Sequence, residues 1–359
     1  MKFRIIRYFL TFCTIIFGHY SYAQLMNIDS CLVILKTAKD DTNKVMLLDA
    51  IAWEISYSSL QKGIDYSNQS YNLAKKLNYE RSYARIFNTQ AAIYTDMAEI
   101  PMALDFCLEG LKYAKKHNQL RGQVSLYNSL GNIYSKRKDT KKSLYYYLQS
   151  VAVAKICQPD ILPVAAYGNI VGIYTGYKKL DSAMYYANLC LDYNLKNNNK
   201  DRLSNNYISL SEIYYELKDK DKCFKAATDA VNASIAINDD YTLAHCYIQL
   251  SNAHYLNKNL KLAIEALDKA TICVKKTGDI PALETIAEYY SLYYEELGDF
   301  KNSLRYFKEY KMYRDSALNY ESIQQEKNAE AKYENEKKQK EIELLGEKQK
   351  LNEAVRSDQ

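Results

Sequence analysis

Few side chains in this sequence have the spacing that chemistry requires. Past the N-terminal leader the histidines are His117, His245 and His254. His245 and His254 are nine residues apart, whereas two imidazoles of one helix share a zinc when they stand at i and i+4. No glycine-rich turn follows a strand to cradle a phosphate, and no nucleophile stands beside a base in a recognisable pattern. Gly168, Gly172 and Gly176 have the spacing of a membrane helix-pairing motif, but Asn169, Tyr177 and Lys178 make the segment too polar and too short for a span. What remains is hydrogen bonding. Asn88, Asn128, Asn132, Asn169, Asn205 and Asn252 recur at related positions, with Ser129, Ser209, Glu212, His245 and Gln249 beside them. An asparagine amide both donates and accepts. These residues describe a non-enzymatic binding protein that takes no cofactor and no metal.

A repeat positions them. The stretch Ile286–Tyr310 reads as two amphipathic helices joined by the turn Gly298-Asp299-Phe300, and the same unit recurs every 40 residues. In register with Tyr294 stand His254, Tyr214, Tyr174, Tyr134, Tyr94 and, in a weaker first copy, Glu54. In register with Ser303 stand Ala263, Cys223, Ala183, Ser143, Ala103 and Gly63, all small; the next position is always large and apolar, from Leu304 back to Ile64. A small residue lets the second helix of a pair approach the first, and the large one is expected to fill the seam. Seven units are expected near 44–78, 82–118, 122–158, 163–198, 202–238, 242–278 and 282–318, behind an N-terminal capping helix in 24–42. The fold class is all-α. Three-residue turns such as Lys138-Asp139-Thr140 force neighbouring helices antiparallel, and Pro101, Pro163 and Pro281 sit where helices begin. Cys223 holds a small packing slot, and the seven cysteines past the leader, an odd number without CxxC spacing, fit buried thiols rather than disulfides.

The third unit carries Tyr127, Leu130, Gly131, Tyr134, Ser143, Tyr147 and Ser150; the sixth carries Tyr247, Leu250, Ser251, His254, Ala263, Leu267 and Ala270. This pattern resembles the tetratricopeptide repeat, whose signature has a bulky aromatic, Leu-Gly, Tyr, Ala, an aromatic and Ala at those spacings. The departures are a period of 40 residues against the family's usual figure of about 34, and no proline between units; longer helices account for both. The resemblance implies a right-handed α-solenoid whose first, or A, helices line a concave face. Residues three and four apart on a helix share a side. That places Arg85 and Asn88, Asn128 and Asn132, Gly168 and Gly172, Asn205 and Glu212, and His245 and Asn252 on the concave face. Ser129, Asn169, Ser209 and Gln249 run alongside. A ladder of amides can pair with the backbone of an extended peptide whatever its sequence, and Gly168 and Gly172 leave room for a side chain to enter. Arg85, Asn128 and Asn132 partly resemble the family's clamp for a peptide carboxylate, without its lysines. The expected partner is a protein or peptide segment.

The two ends differ from the array. Lys2, Arg4 and Arg7, the apolar Tyr8–Phe17 and the small-residue site Ser21-Tyr22-Ala23 make 1–23 a secretory signal peptide, so the expected location is the periplasm or cell envelope. A retained anchor is the alternative; the apolar run is short for one. The formal charge of +5 falls to +2 without the three leader bases, which gives no electrostatic case for nucleic acid. Residues 319–359 alternate acidic and basic side chains around the sparse anchors Ile323, Tyr333, Ile342, Leu344, Leu345, Leu351 and Val355. The step from Leu344 to Leu351 suggests a coiled coil and a homodimer through it; a solvated single helix is the alternative. Such an array behind a signal peptide, running into YENEKKQKEIELL, resembles the sensor regions of Bacteroidetes signalling proteins. In those a transmembrane helix follows, then a histidine-kinase module or a helix-turn-helix domain. The resemblance implies a scaffold or sensor of a cell-envelope signalling system. The alternative is a membrane-linked transcriptional regulator or sensor kinase whose membrane and output segments lie beyond Gln359.

Overall fold

The structure, a computed structural model, describes residues 28–156 and 163–316. The leader and the expected coiled coil of 319–359 lie outside the described residues. Helix α1 (Ile28–Thr37) precedes seven antiparallel pairs. These are α2 (Thr42–Ser56) with α3 (Leu60–Lys76), α4 (Tyr83–Asp96) with α5 (Ile100–Lys116), and α6 (Leu120–Lys136) with α7 (Thr140–Ile156). Then come α8 (Val164–Gly176) with α9 (Leu180–Lys196), α10 (Lys200–Glu216) with α11 (Lys220–Ile235), and α12 (Asp240–Leu256) with α13 (Leu260–Thr277). The last pair is α14 (Ile280–Glu296) and α15 (300–316). There is no strand among the described residues, and the chain is an all-α solenoid of tetratricopeptide type.

The turns explain the 40-residue period. Left-handed residues recur at 78, 98, 118, 138, 178, 198, 218, 238, 258, 278 and 298, in steps of 20; the α2–α3 turn at Ser58 departs from the series and closes with the Ser58 and Ser59 N–H groups on the Ile55 carbonyl. After A helices the residue is Ala98, Lys138, Lys178, Lys218, Lys258 or Gly298; after second, or B, helices it is Asn78, Asn118, Asn198, Asn238 or Gly278. At the end of α6, the Lys138 N–H donates to the Ser135 carbonyl at 2.8 Å and the Asp139 N–H to the Tyr134 carbonyl at 2.9 Å, a Schellman closure. Asp139 then caps α7, its carboxylate accepting from the Lys142 N–H at 3.1 Å. Asp219, Asp239, Asp279 and Asp299 cap their helices in the same way. One residue thus both ends a turn and starts a helix, which keeps the turns short and the pairs antiparallel.

The expected small slot is buried at Gly63, Ala103, Ser143, Ala183, Cys223 and Ala263, and half-buried at Ser303. The large residue beside it fills the seam in most units: Ile64 is 5% exposed, and Leu104, Leu144, Met184 and Ile264 are half-buried and pack on the core, whereas Phe224 is 39% and Leu304 55% exposed. The aromatic register adds to this packing. Tyr94 stacks on Phe106 with centroids 5.3 Å apart, Tyr134 on Tyr146 at 5.2 Å and Tyr294 on Tyr306 at 5.6 Å. His254 meets Phe224 edge-on at 5.2 Å, and burial lowers its pKa, so this imidazole is a packing group. Cys31, Cys107, Cys190, Cys223, Cys246 and Cys273 are buried. Burial pushes Cys107, Cys190 and Cys246 up to about 12, which leaves them unreactive.

Neighbouring A helices touch one another, whereas B helices touch chiefly the A helices on either side. The A helices are therefore the closer-packed, inner layer of the array. That layer carries every residue of the expected site.

Candidate functional site

Adjacent A helices are joined by polar rungs that obey one geometric rule. The residue at position 129, 169, 249 or 289 meets side chains that lie 41 or 37 residues earlier, on the preceding A helix. Ser129 Oγ of α6 donates to Asn88 Oδ1 of α4 at 2.9 Å. Asn169 Nδ2 of α8 lies 3.4 Å from Asn128 Oδ1 and 3.1 Å from Asn132 Oδ1 of α6. Gln249 Nε2 of α12 donates to Glu212 Oε1 of α10 at 3.1 Å. Asn252 Nδ2 of α12 reaches the Tyr289 hydroxyl of α14 at 3.5 Å.

The rule breaks twice: Thr89 of α4 has the apolar Leu48 and Ala52 of α2 at those offsets, and the second break is at α10. Ser209 of α10 should meet Gly168 and Gly172 of α8, which have no side chains to offer, and its hydroxyl has no hydrogen-bond partner among the described residues. A Cβ built on Gly168, Gly172 or Gly176 would meet nothing within 4 Å. The inner face therefore has a notch at α8. It lies between an amide-rich half (Asn88, Asn128, Asn132, Asn169) and a half that carries acids and tyrosines. Asn132, Gly168, Gly172 and Asn205 are exposed at this notch, and Asn169, Ser209 and Glu212 are half-buried.

Two expectations need correction. Arg85 does not stand ready for a ligand carboxylate: its Nε pairs at 2.5 Å with Asp49 Oδ2, and the Asp49 side chain is 1% exposed. Withdrawing Arg85 would strand a buried charge, a loss of about 3–5 kcal/mol in comparable cases. The ladder is also not a free row of amides. Ser129 and Asn252 are buried at 9% and 8% exposure; Asn88 accepts from Ser129, and Asn128, Asn132 and Asn169 use part of their capacity on one another. His245 pairs with the α14 cap, its Nε2 3.0 Å from Asp279 Oδ2.

The second half of the face holds groups that the sequence reading passed over. Tyr293 is fully buried on α14, stacks on Tyr255 of α12 at 4.9 Å and lies 6.0 Å from the Tyr289 ring. The Tyr255 hydroxyl donates to Glu296 Oε1 at 2.5 Å, and that bond together with burial raises the phenol to about 12. Glu212 is the electrostatic exception: burial pushes its carboxyl up to about 7, and no cation among the described residues pairs with it. Tyrosine at 289, in a slot that elsewhere holds Asp49, Thr89, Ser129, Asn169, Ser209 and Gln249, and at 293, in a slot that holds Ile in four other units, was the available signal. Among the described residues no cluster of His, Cys, Asp and Glu could hold a metal ion, and no helix is long and apolar enough to cross a membrane.

No family model and no curated protein matches the sequence. Solved structures do. The apo form of RapI superposes with a TM-score of 0.61 over 77% of this chain and 99% of its own, at 14% identity. A Rap protein complexed with competence and sporulation factor gives 0.59 over 81% and 80%, at 13% identity. A signal transduction ATPase with a tetratricopeptide repeat sensor, from Pyrococcus horikoshii, gives 0.58 over 77% of this chain and 45% of its own, at 16% identity. At these identities the likeness is one of fold.

Proposed function

We propose that this chain is a non-enzymatic scaffold or sensor that binds an extended protein or peptide segment along its A-helix face, as part of a cell-envelope signalling system. The observation that carries the reading is the notch in α8. Glycine inside a helix is less stable than alanine by about 0.8–1.0 kcal/mol per residue. Gly131 has an internal reason to be glycine, since a Cβ there would lie 2.3 Å from the Tyr147 ring. Gly168 and Gly172 have none, because their Cβ positions face open space. A body outside the array that approaches the α8 backbone supplies the missing reason.

A segment crossing the notch meets Asn132 and Asn169 on one side and Asn205, Ser209 and Glu212 on the other. The amides pair with its backbone. Glu212, a half-buried carboxylate without a cation, favours a basic side chain at that point of the segment. The similar structure that holds competence and sporulation factor supports partner binding by a fold of this kind. In this reading residues 1–23 export the chain and 319–359 relay or dimerise.

The test is affinity capture from envelope extract, with protein from Gln24 onward beside an Asn128→Ala/Asn132→Ala variant. Partners held by the first and lost by the second support the groove. Equal capture by both overturns it.

A further inference from the structure

A second concavity lies on the outer side of the array, away from the amide rungs. The B helices α3 and α5 part over α4 and leave a cleft of about 400 Å³, at the small end of the range for small-molecule sites. Its floor is Phe87 and Gln90 of α4, and its walls are Tyr71 of α3 with Phe106 and Tyr113 of α5. The Phe87 ring lies 5.3 Å from Tyr71, 5.8 Å from Phe106 and 6.0 Å from Tyr113.

Gln90 is the anomaly. The same register slot holds Ala50, Leu130, Ile170, Leu210, Leu250 and Tyr290, and the one other polar group, the Tyr290 hydroxyl, is satisfied by Asp268. Gln90 is 2% exposed; its Nε2 donates to Asn68 Oδ1 at 3.0 Å, and its Oε1 has no hydrogen-bond partner. A buried acceptor without a donor forfeits a hydrogen bond that water would have supplied, and a leucine in this slot would avoid that loss. The cleft therefore carries an aromatic surround and an unmet demand for a donor.

We propose that this cleft binds a small organic ammonium whose amine is carried on a flat apolar body. The four rings offer stacking faces for the body and negative π faces for the cation. An ammonium N–H satisfies Gln90 Oε1. Asp105 and Glu109 line the α5 rim, and no basic residue lines the cleft; Lys112 pairs with Glu109 at 3.3 Å, and Lys116, 5.7 Å from the Tyr113 ring centroid, pairs with Glu80 at 2.6 Å. The rim therefore favours cations over anions. This site is independent of the A-helix face and of any partner bound there.

Calorimetric titration of the full chain with tryptamine, and separately with 3-indolepropionate, tests the proposal, alongside a Gln90→Leu variant. Leucine fills the slot in three other repeats, as Leu130, Leu210 and Leu250, so Q90L is expected to fold and to melt at a higher temperature than the parent. Tryptamine is expected to bind the parent and to bind Q90L at least about 10-fold more weakly, while 3-indolepropionate binds neither. No tryptamine binding up to about 10 mM, unchanged binding by Q90L, or equal binding of 3-indolepropionate would each overturn it. Should Q90L lose helicity, Asp105→Asn takes its place. A tryptamine affinity lowered about 3-fold then supports the site, and an unaltered one overturns it.

Discussion

Gly131 and Tyr147 share one volume: a Cβ on Gly131 would lie 2.3 Å from the Tyr147 ring. The ring belongs to α7, passes over the missing side chain on α6, and its hydroxyl donates to Asn132 Oδ1 at 2.8 Å. A residue of the outer layer thus reaches the inner face and fixes one member of its amide ladder. The corresponding positions of other units hold Ile51 with Ser67, Ala91 with Cys107, and Ser251 with Leu267. In most units a small partner on one helix accompanies a larger one on the other, while Ala91 with Cys107 and Ser211 with Ala227 pair two small residues.

Gly131→Ala is therefore expected to overpack the α6–α7 seam and to destabilise the protein by about 1–3 kcal/mol, despite the better helix propensity of alanine. Chemical denaturation measures the loss. Adding Tyr147→Leu should recover most of it, and a double variant no more stable than G131A alone would show that the two residues do not compete for this space.

Lys258 adopts φ 61° at the turn from α12 to α13. A non-glycine residue in this left-handed region is less stable by roughly 1–2 kcal/mol, offset in part by the greater freedom glycine has when unfolded. Lys258→Gly should raise stability by about 0.5–1 kcal/mol. A lower melting temperature would mean that the lysine side chain holds the turn in some way other than its backbone.

The fold was legible because its signals are local and repeated. The Tyr134 and Ser143 registers report a stacking slot and a close helix approach, and seven copies in one register leave little room for another topology. The turn residues carried the same message at half the period, since Lys138 and Asn118 both mark a left-handed C-cap. The site was legible only in part. Asn128, Asn132 and Asn169 could be placed on one face, but which amides bond to one another depends on the offset between neighbouring helices, which no single helix encodes. Arg85 looked available for the same reason: its partner Asp49 lies a whole unit earlier. Gln90 was passed over in the sequence, although its register holds Leu130, Ile170, Leu210 and Leu250, and only the parting of α3 and α5 gave it meaning.

Glu212 predicts a pH effect whose sign is fixed by the direction of its shift. Its carboxyl titrates near 4.5 as a free side chain and at about 7 in the fold, where Gln249 donates to it and Tyr289 of α14 faces it. Between these values the folded state holds the proton more tightly than the unfolded state, so stability falls as pH rises through this window and levels off above it. Glu212→Gln keeps the hydrogen bond and removes the charge. The variant should match the parent near pH 4.5 and exceed it at pH 8 by at most about 3 kcal/mol. A difference that stays constant across the two pH values would place the carboxylate in a well-solvated setting.

Gly168→Ala/Gly172→Ala separates stability from binding. Both Cβ atoms enter open space, so the only effect on the free protein is that of helix propensity. Two replacements should add about 1–2 kcal/mol to stability, seen as a higher denaturation midpoint with unchanged helical signal. The same two methyl groups project into the notch between Asn132 and Ser209, where a bound segment must come closest to the α8 backbone. Capture of the partner should then weaken about tenfold or more in a protein that is better folded than its parent. A structural role for the glycines gives the opposite pattern, with stability lost and capture lost in proportion to it. A more stable variant that captures its partner as well as the parent does would move recognition off α8 altogether.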